Sequence, residues 1–401
     1  MARKQQRSQR PLEALLRQRA PEFIEGLIVR VEVSSVLNPT PIVLASHNVQ
    51  DFELDLRSGG FSGSLSVLVS DDSELRSTER DPLITIFRAP DLLKLRLTLQ
   101  AKLLDQDVNT LPLPLELQAL VTERALGEEI AKLGNDQLSF RRYFFRFADA
   151  AQVLWRQHFP CELFTQKSLR DVLEAHRNLH ITIEYPDPAL STVLPMIFLG
   201  CDVEHRSAER ASFYDLLMWR LDELGKVWMY DYTRRVYQIQ ATKPRPVVID
   251  LIPHDLDRIY TYFPEYPRYQ KNVLNDFVES TANRLVDNLK KVNFVRQDHI
   301  FNTEIRSRFD NEVTSRTKAF VMPRPEFMVC YRHFPSKPFA PNVGIDFKVD
   351  ILDLAAEDIA IPVEASTELC RVIQLSISGT TLETDVAAVY DGKVPANFRC
   401  R

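Results

Sequence analysis

The first part of the chain alternates apolar and polar residues in short runs that are separated by turn residues. Alternation places the apolar side chains on one face of an extended strand, so each run predicts a strand with one buried face. Several short strands in series are typical of an antiparallel barrel or sandwich, which we expect over residues 21–137. The runs are Leu27–Val33, Phe52–Leu56, Leu65–Val69, Leu83–Phe87, Leu95–Leu99 and Leu115–Val121.

Residues 138–245 predict a smaller α/β domain, because strand and helix patterns follow one another there. The aromatic run Leu138–Phe147 predicts a strand that leads into a helix at Ala148–Phe159. Two further helices begin at serines, each followed three residues later by an aspartate that can complete a capping box. These pairs are Ser168 with Asp171 and Ser212 with Asp215. Gly225 is expected to end the third helix, before a hairpin over residues 226–240.

Residues 246–401 predict a second β-rich domain with an insert at about 255–335. Within the insert, Lys271–Lys291 has apolar residues at helical spacing, and we expect a helix there. The spaced residues are Val273, Phe277, Leu285 and Leu289. Strands are expected again at Phe347–Leu352, Arg371–Ile377 and Thr384–Val389.

Residues 1–20 predict a basic arm followed by a short helix. The arm has four cationic side chains and no acidic one, at Arg3, Lys4, Arg7 and Arg10. Pro11–Arg19 can form a helix with Leu12, Leu15 and Leu16 on one face. That face can dock on its own domain or on a neighbouring subunit, and the sequence leaves both open.

Composition and charge exclude several function classes. The formal net charge is −5, which disfavours binding nucleic acid by whole-surface attraction to phosphates. With 11 glycines in 401 residues, the chain has few candidates for phosphate-binding loops. The five cysteines are far apart, which argues against a zinc site and a disulfide framework. No apolar run is long enough to span a membrane.

The chain contains no recognisable catalytic motif. His176 and His180 are four residues apart, but no glutamate follows His176, so we expect helix-end or surface histidines rather than metal ligands. Gly60–Gly63 differs in spacing from a nucleophile elbow and predicts a turn. Paired acids such as Asp71–Asp72 are expected in loops. We therefore predict no enzyme activity, no catalytic residue, no cofactor and no metal.

Two groups of residues are candidates for an interface. The first consists of arginines among aromatics in the strand that begins the middle domain: Arg141, Arg142 and Arg146. The second consists of aromatics in the insert: Tyr260, Tyr262, Phe263, Tyr266 and Tyr269. Arginine and aromatic residues are enriched at protein interfaces. The arginine group could instead stack on nucleic-acid bases, and the aromatic group could pack on its own subunit.

The middle domain resembles the VgrG/late control protein D family. Phe140–Trp155 and Phe164–Leu173 match the family's strand, helix and lysine–serine segment, and Cys201–Arg206 precedes the third helix as in the family. Ser212–Gly225 resembles the family's helix, although the family's adjacent serine and aspartate are Ala211 and Ser212 here, with Asp215 following later. Val227–Tyr230 fits the short aromatic strand that follows. The resemblance covers roughly residues 120–245.

The resemblance implies an α+β fold, in which two β-barrel hub domains flank a smaller α/β domain and three subunits form a pseudo-sixfold ring. Family members are baseplate hubs of contractile injection machines, such as phage tails, tailocins and type VI secretion systems. The implied partners are two further copies in a homotrimer, a tail tube protein (Hcp-like or phage tube), a separate spike protein and baseplate wedge proteins. The separate spike is expected because the chain lacks a repetitive β-rich tail.

The resemblance also implies a location: the bacterial cytoplasm during assembly, then the baseplate of a phage tail or injection particle. It implies neither nucleic acid nor a membrane as a partner. Two other functions are compatible with the sequence. One is a generic scaffold or assembly protein, and the other is a cell-wall hydrolase that uses paired carboxylates.

Overall fold

The computed structural model describes most of the chain up to residue 249 and separate segments beyond it. The described residues are 24–37, 39–70, 81, 83–103, 113–133, 136–201, 211–249, 256–262, 269–275, 281–285, 295–301, 303–321, 326–331, 339–345, 370–380 and 396–400. The basic arm and the Pro11–Arg19 segment lie outside them, as do the strands expected at Phe347–Leu352 and Thr384–Val389.

Strands dominate the described part of the chain. They are β1 (Ile24–Ser35), β2 (Ile42–Leu44), β3 (Val49–Arg57), β4 (Gly60–Ser70), β5 (Leu93–Leu103), β6 (Leu115–Leu133), β7 (Asp136–Ala148), β8 (Cys161–Ser168), β9 (Ile183–Glu184), β10 (Val193–Gly200), β11 (Val227–Asp231), β12 (Val236–Gln240), β13 (Val248–Ile249), β14 (Leu256–Tyr262), β15 (Tyr269–Asn275), β16 (Thr281–Leu285), β17 (Val295–Ile300), β18 (Glu326–Tyr331), β19 (Gly344–Ile345), β20 (Cys370–Thr380) and β21 (Ala396–Cys400). The α-helices are α1 (Leu83–Arg88), α2 (Ala150–Trp155), α3 (Leu169–Ala175), α4 (Phe213–Glu223) and α5 (Arg306–Val321).

The N-terminal strands form an antiparallel sheet in the order β3-β4-β7-β6-β5-β1-β2. The alternating runs are confirmed as strands in β1, β3, β4, β5 and β6, and the apolar side of each run is buried. Val31, Leu65 and Leu97 are fully enclosed. Burial of these aliphatic side chains is the main favourable term for this part of the fold.

The two β-rich ends of the chain share one sheet, which corrects the prediction of two separate barrels. β20 pairs antiparallel with β3 over seven residues, from Gln374 opposite Arg57 to Thr380 opposite Asp51. The sheet then continues through β21, β18 and β14. The strand pairings of the described residues do not close into a barrel. The physical reason is that β20 occupies the hydrogen-bonding edge of β3, which a separate N-terminal barrel would use for its own closure.

Leu83–Phe87 is part of helix α1, so the strand predicted there is wrong. Asp81 accepts a hydrogen bond from the backbone N–H of Leu83 at 2.9 Å and thereby supports the first turn of the helix. The ring of Phe87 packs edge-on against Tyr143, with ring centroids 4.8 Å apart. A five-residue alternation is too short to distinguish a strand from a buried helix, and tertiary contacts decide between them.

The helix predicted over Lys271–Lys291 is also wrong where the structure describes that segment. β15 and β16 pair antiparallel, with Lys271 opposite Leu285, and β15 also pairs parallel with β17. These pairings satisfy the backbone hydrogen bonds between strands, so the apolar spacing at Val273 and Leu285 does not produce a helix.

Residues 138–245, called the middle unit below, follow the predicted order of a strand, three helices and a hairpin. Both capping boxes are confirmed. Ser168 Oγ accepts from the N–H of Asp171 at 3.2 Å, and Asp171 accepts from the N–H of Ser168 at 2.9 Å. Ser212 and Asp215 form the same pair of bonds at 3.3 and 3.1 Å. The segment between α2 and α3 forms strand β8, which pairs antiparallel with β10.

The β3–β4 turn joins the sheet to the middle unit. The backbone N–H of Arg57 donates to the Tyr232 hydroxyl at 3.0 Å, and the Trp228 indole donates to the carbonyl of Gly59 at 2.8 Å. The carbonyl of Ser58 accepts from the N–H of Tyr230 at 2.8 Å. Hairpin β11–β12 therefore holds this turn through both backbone and side-chain groups.

A buried carboxylate completes the same junction. Asp149 is 1% exposed and is the N-cap of α2. Its carboxylate accepts from the N–H groups of Phe61 and Gln152, at 3.0 and 3.1 Å, and from the Tyr237 hydroxyl. Burial raises the pKa of Asp149, and the hydrogen bond from Tyr237 opposes that rise. One side chain thus connects β4, α2 and β12.

We expect Gly60→Ala to lower the free energy of unfolding by about 3 kcal/mol. Gly60 has a φ of +153°, and a Cβ at this position would lie 2.3 Å from a carboxylate oxygen of Asp149. Chemical denaturation measures the change. Gly127→Ala is the matched control, because no atom lies within 4 Å of its Cβ position. Equal stability of both variants would contradict this account of the turn.

We expect Asp149→Asn to lower the free energy of unfolding by about 2–3 kcal/mol, although it removes a buried charge. Both carboxylate oxygens of Asp149 accept hydrogen bonds. An asparagine replaces one of these oxygens by an NH₂ group, which cannot accept, so at least one N–H donor loses its acceptor. Urea unfolding of Asp222→Asn, an exposed aspartate on α4, provides the comparison. If D149N has the same free energy of unfolding as the wild type, burial of the charge destabilises the fold as much as the hydrogen bonds to the carboxylate stabilise it.

Candidate interface surfaces

The outer face of β7 presents part of the predicted arginine group to solvent. Tyr143, Phe145 and Phe147 point into the core and are at most 1% exposed. Side chains alternate along a strand, so Arg142 and Arg146 lie on the opposite face, where both are exposed.

Arg146 forms its contacts within this exposed face. Its guanidinium lies 3.1 Å from the carboxylate of Glu123 on β6 and 6.0 Å from the ring centroid of Phe144. Arg146 and Glu123 are about 60% exposed, at 59% and 61%, so the ion pair stabilises the fold little. Both side chains thus remain accessible to a partner.

Arg141 lies near the middle of β7, next to Arg142, and has a different environment. Its guanidinium is 3.3 Å from the fully buried carboxylate of Asp81, which also accepts a hydrogen bond from the Tyr143 hydroxyl. Burial and this hydrogen bond raise the pKa of Tyr143. Arg141 therefore pairs with a carboxylate of its own chain, beside the start of α1.

The exposed face beside Arg146 is polar across four neighbouring strands. Strand register places Ser378 of β20 opposite Glu53, Glu53 opposite Ser64, and Ser64 opposite Arg146. Hydroxyl groups thus alternate with charges of both signs along this row. Small side chains next to long charged ones leave a shallow groove on the sheet, suited to polar contacts.

The remaining predicted interface residues lie outside the described side chains. Arg3, Lys4, Arg7 and Arg10 lie outside the described residues, and so do Phe263 and Tyr266. The backbone of Tyr260 and Tyr262 belongs to β14, and that of Tyr269 belongs to β15.

An apolar groove in the middle unit was not predicted from the sequence. It is a cavity of about 260 Å³ between α3, α4 and β10. Its floor is formed by buried side chains, including Leu173, Phe213 and Leu217. Around it, large apolar side chains are exposed to solvent: Met196 by 62%, Phe198 by 60% and Trp219 by 63%.

Two signals in the sequence could have indicated this groove. The run Val193–Leu199 is apolar at nearly every position, so a strand there presents apolar side chains on both faces. Trp219 lies on α4 between the buried residues Leu217 and Leu221, away from the buried stripe. Clusters of exposed apolar side chains on a folded protein mark interaction surfaces.

The predicted helix-end position of His176 is confirmed, since His176 is the C-cap of α3. Its Nδ1 lies 2.8 Å from Nε2 of His158, and both rings pack against Phe213. Burial lowers the pKa of His176, and the neighbouring His158 lowers it further. Two imidazoles that share one hydrogen bond within an aromatic cluster stabilise the packing of α3 on α4.

The described part of the chain contains no group of three or more histidine, cysteine, aspartate or glutamate side chains arranged to hold a metal ion. Among its helices, none is both long and apolar enough to cross a membrane.

Comparison with known proteins gives similarity in structure only. No family model matches the chain, and no curated protein matches its sequence. A chain of the half-lidded Francisella PdpA–VgrG complex is similar with a TM-score of 0.62 at 12% identity, over 94% of this chain and 58% of that one. This protein thus spans less than two thirds of that chain's length.

Two tail proteins are similar over nearly their whole lengths. The 43 kDa tail protein of prophage MuSo2 from Shewanella oneidensis has a TM-score of 0.55 at 9% identity, over 93% of this chain and 98% of that one. The tail protein from Neisseria meningitidis MC58 has a TM-score of 0.54 at 7% identity, over 94% and 96%. At these identities the similarity shows only that this chain shares the fold of the two proteins.

Proposed function

We propose that this protein is the baseplate hub of a contractile injection machine, a homotrimer that adapts a hexameric tail tube to a threefold spike. The observation that supports the proposal most is the end-to-end fold similarity to two tail proteins, which spans 98% and 96% of their chains. The family resemblance of residues 120–245 is a second, sequence-based support. The proposed location is the baseplate, after assembly in the bacterial cytoplasm.

The described surfaces support an assembly role. The outer face of β7 has arginines beside an aromatic ring, and the middle unit has exposed apolar side chains around a groove. Interfaces are enriched in aromatic residues, methionine and arginine. In a ring, each subunit contacts the next through two different surfaces, so two separate contact areas on one subunit fit closed threefold symmetry.

The proposed partners follow from the position of a hub. A tail tube protein would contact one face of the ring, and a separate spike protein would contact the other. Wedge proteins would contact its periphery. The proposed role is structural, without catalysis and without a cofactor.

We expect the purified protein, alone or with its spike, to have a mass of about 139 kDa by light scattering, because three subunits of 46.3 kDa form the ring. Electron-microscopic class averages of the same sample should show threefold symmetry and a central channel. A protein that remains a 46.3 kDa monomer when co-expressed with spike and tube candidates would exclude the hub.

We expect the double variant Arg142→Glu/Arg146→Glu to weaken trimer formation at least about tenfold, because charge reversal introduces repulsion into an interface. Dilution series in analytical ultracentrifugation measure the change. Arg30→Glu is the matched control, since Arg30 is 55% exposed and pairs with Glu32 much as Arg146 pairs with Glu123. If both variants assemble like the wild type, the outer face of β7 lies outside the ring interface.

A further inference from the structure

Strand β10 has one paired edge and one open edge in the described part of the chain. It forms a two-stranded ribbon with β8, in unbroken register from Met196 to Gly200. The N–H of Cys201 donates to the carbonyl of Pro160 at 3.2 Å, which continues this ladder. In an antiparallel pair, the backbone groups of every second residue point toward the partner strand. Counting back from Cys201, Met196 and Phe198 fall between the bonded positions, so their N–H and C=O groups point away from β8.

The apolar groove runs along this open edge. Four consecutive residues of β10, Met196–Leu199, line the groove, and no described residue of β8 does. Consecutive side chains of a strand point to opposite faces, so a groove that touches all four residues lies beside the edge of the strand. Helix α4 forms the opposite wall through Leu216 and Trp219, and the buried Leu173 of α3 belongs to the floor. The groove is therefore a slot between a strand edge and a helix.

The two edges of the ribbon differ in how they are protected. Charged side chains and irregular backbone keep an exposed edge from recruiting other strands. Strand β8 has both, because Glu162 and Lys167 are charged and Gln166 has a φ of 53°. Strand β10 (Val193–Gly200) contains no charged residue, and Pro195 removes only one backbone donor from it. The sequence thus protects the edge of β8 and leaves that of β10 open to a further strand.

The slot has room for one extended segment. An apolar cavity of about 150 Å³ holds a benzene-sized group, so the groove, at about 260 Å³, holds two aliphatic side chains from one face of a strand. Helix α4 lies along the second edge of such a segment. A strand that already belongs to a sheet, such as β10 of a second copy beside its own β8, does not fit there. Residues 202–210, which follow β10 in the sequence, are too polar to fill the groove, since Val203 is their one large apolar residue.

We propose that the edge of β10 binds an extended segment of another protein as a third strand, in the slot beside α4. Strand addition to an exposed sheet edge gives affinity through main-chain hydrogen bonds and specificity through pockets for alternate side chains. The main-chain groups here are those of Met196 and Phe198. The pocket is the groove, whose floor includes the buried Leu173, Phe213 and Leu217. The segment therefore has apolar side chains at alternate positions.

The inference goes beyond the proposed ring. It concerns the attachment of a further protein to one subunit, and it applies to a monomer as well as to a trimer. Light scattering on the same sample reports the ring, so failure of the slot and failure of the hub are distinguished.

Binding of short peptides to the full-length protein tests the edge. The probe is a synthetic library of labelled, capped octapeptides with Val, Leu, Ile or Met at alternate positions and Ser or Thr between them. Fluorescence anisotropy is expected to find at least one peptide with a Kd below about 1 mM. Methylation of the backbone nitrogens in one alternate set of its residues is expected to weaken binding about tenfold, because it removes the donors that face β10. Methylation of the other set is the matched control.

Two proline variants compare the edges of the ribbon. Met196→Pro removes an outward N–H from β10, and Thr165→Pro removes the outward N–H directly opposite on β8. Only M196P is expected to weaken binding of the peptide, by about tenfold. Hydrogen exchange on the wild type gives a second measurement that needs no variant. The peptide is expected to slow exchange at the amides of Met196 and Phe198, and not at that of Thr165.

Other outcomes overturn the inference. Absence of binding by every peptide excludes the slot as a receptor for a strand. Binding that is unchanged by backbone methylation and by Met196→Pro, but weakened by Trp219→Ala, means that the groove holds apolar side chains without a third strand. Slow exchange at Met196 and Phe198 before peptide is added means that the chain itself or a second copy already covers the edge.

Discussion

The tight turn at Arg57–Gly60 is the constraint on which the arrangement of the rest depends. Its backbone groups bond to Tyr232 and Trp228 of the middle unit, and the N–H of Ser58 donates to the carbonyl of Ile373 in β20. The carboxylate of Asp149 fills the space that a side chain at Gly60 would need. Because three parts of the chain bond to the same few peptide groups, these partly buried hydrogen bonds fix their relative orientation.

Local signals in the sequence predicted the parts of the fold that local physics determines. The capping boxes at Ser168 and Ser212 depend on residues three apart, and the structure contains both. Helix α1 depends instead on Asp81, whose carboxylate also bonds to Tyr143, 62 residues away. The sharing of one sheet by β3 and β20 depends on a pairing of segments more than 300 residues apart. Neither long-range contact leaves a pattern in a window of a dozen residues.

The candidate surfaces also depend partly on local sequence and partly on long-range contacts. Alternation along β7 explains why Arg142 and Arg146 are exposed, while Arg141, one residue away, pairs with the buried Asp81. The run Val193–Leu199 and Trp219 each signal exposed apolar side chains, but the groove itself is formed by two helices and a strand that are separate in the sequence. The degree to which Trp219 is exposed is determined only when α4 packs on its neighbours. Sequence patterns thus predict which residues share an element, and packing decides which of them remain accessible.

The pairing of β3 with β20 has a consequence for synthesis on the ribosome. The side chain of Gln374 in β20 donates to Asp55 in β3 at a sequence separation of 319 residues. One edge of β3 therefore has no β20 to pair with until nearly the whole chain has been synthesised. At about 5–20 residues per second, this delay is on the order of 16–64 s. Exposed strand edges recruit other chains, and many copies translated from one message lie close together. The nascent protein therefore has a defined period in which this strand edge can recruit other chains, and that period ends when residues 370–380 are made.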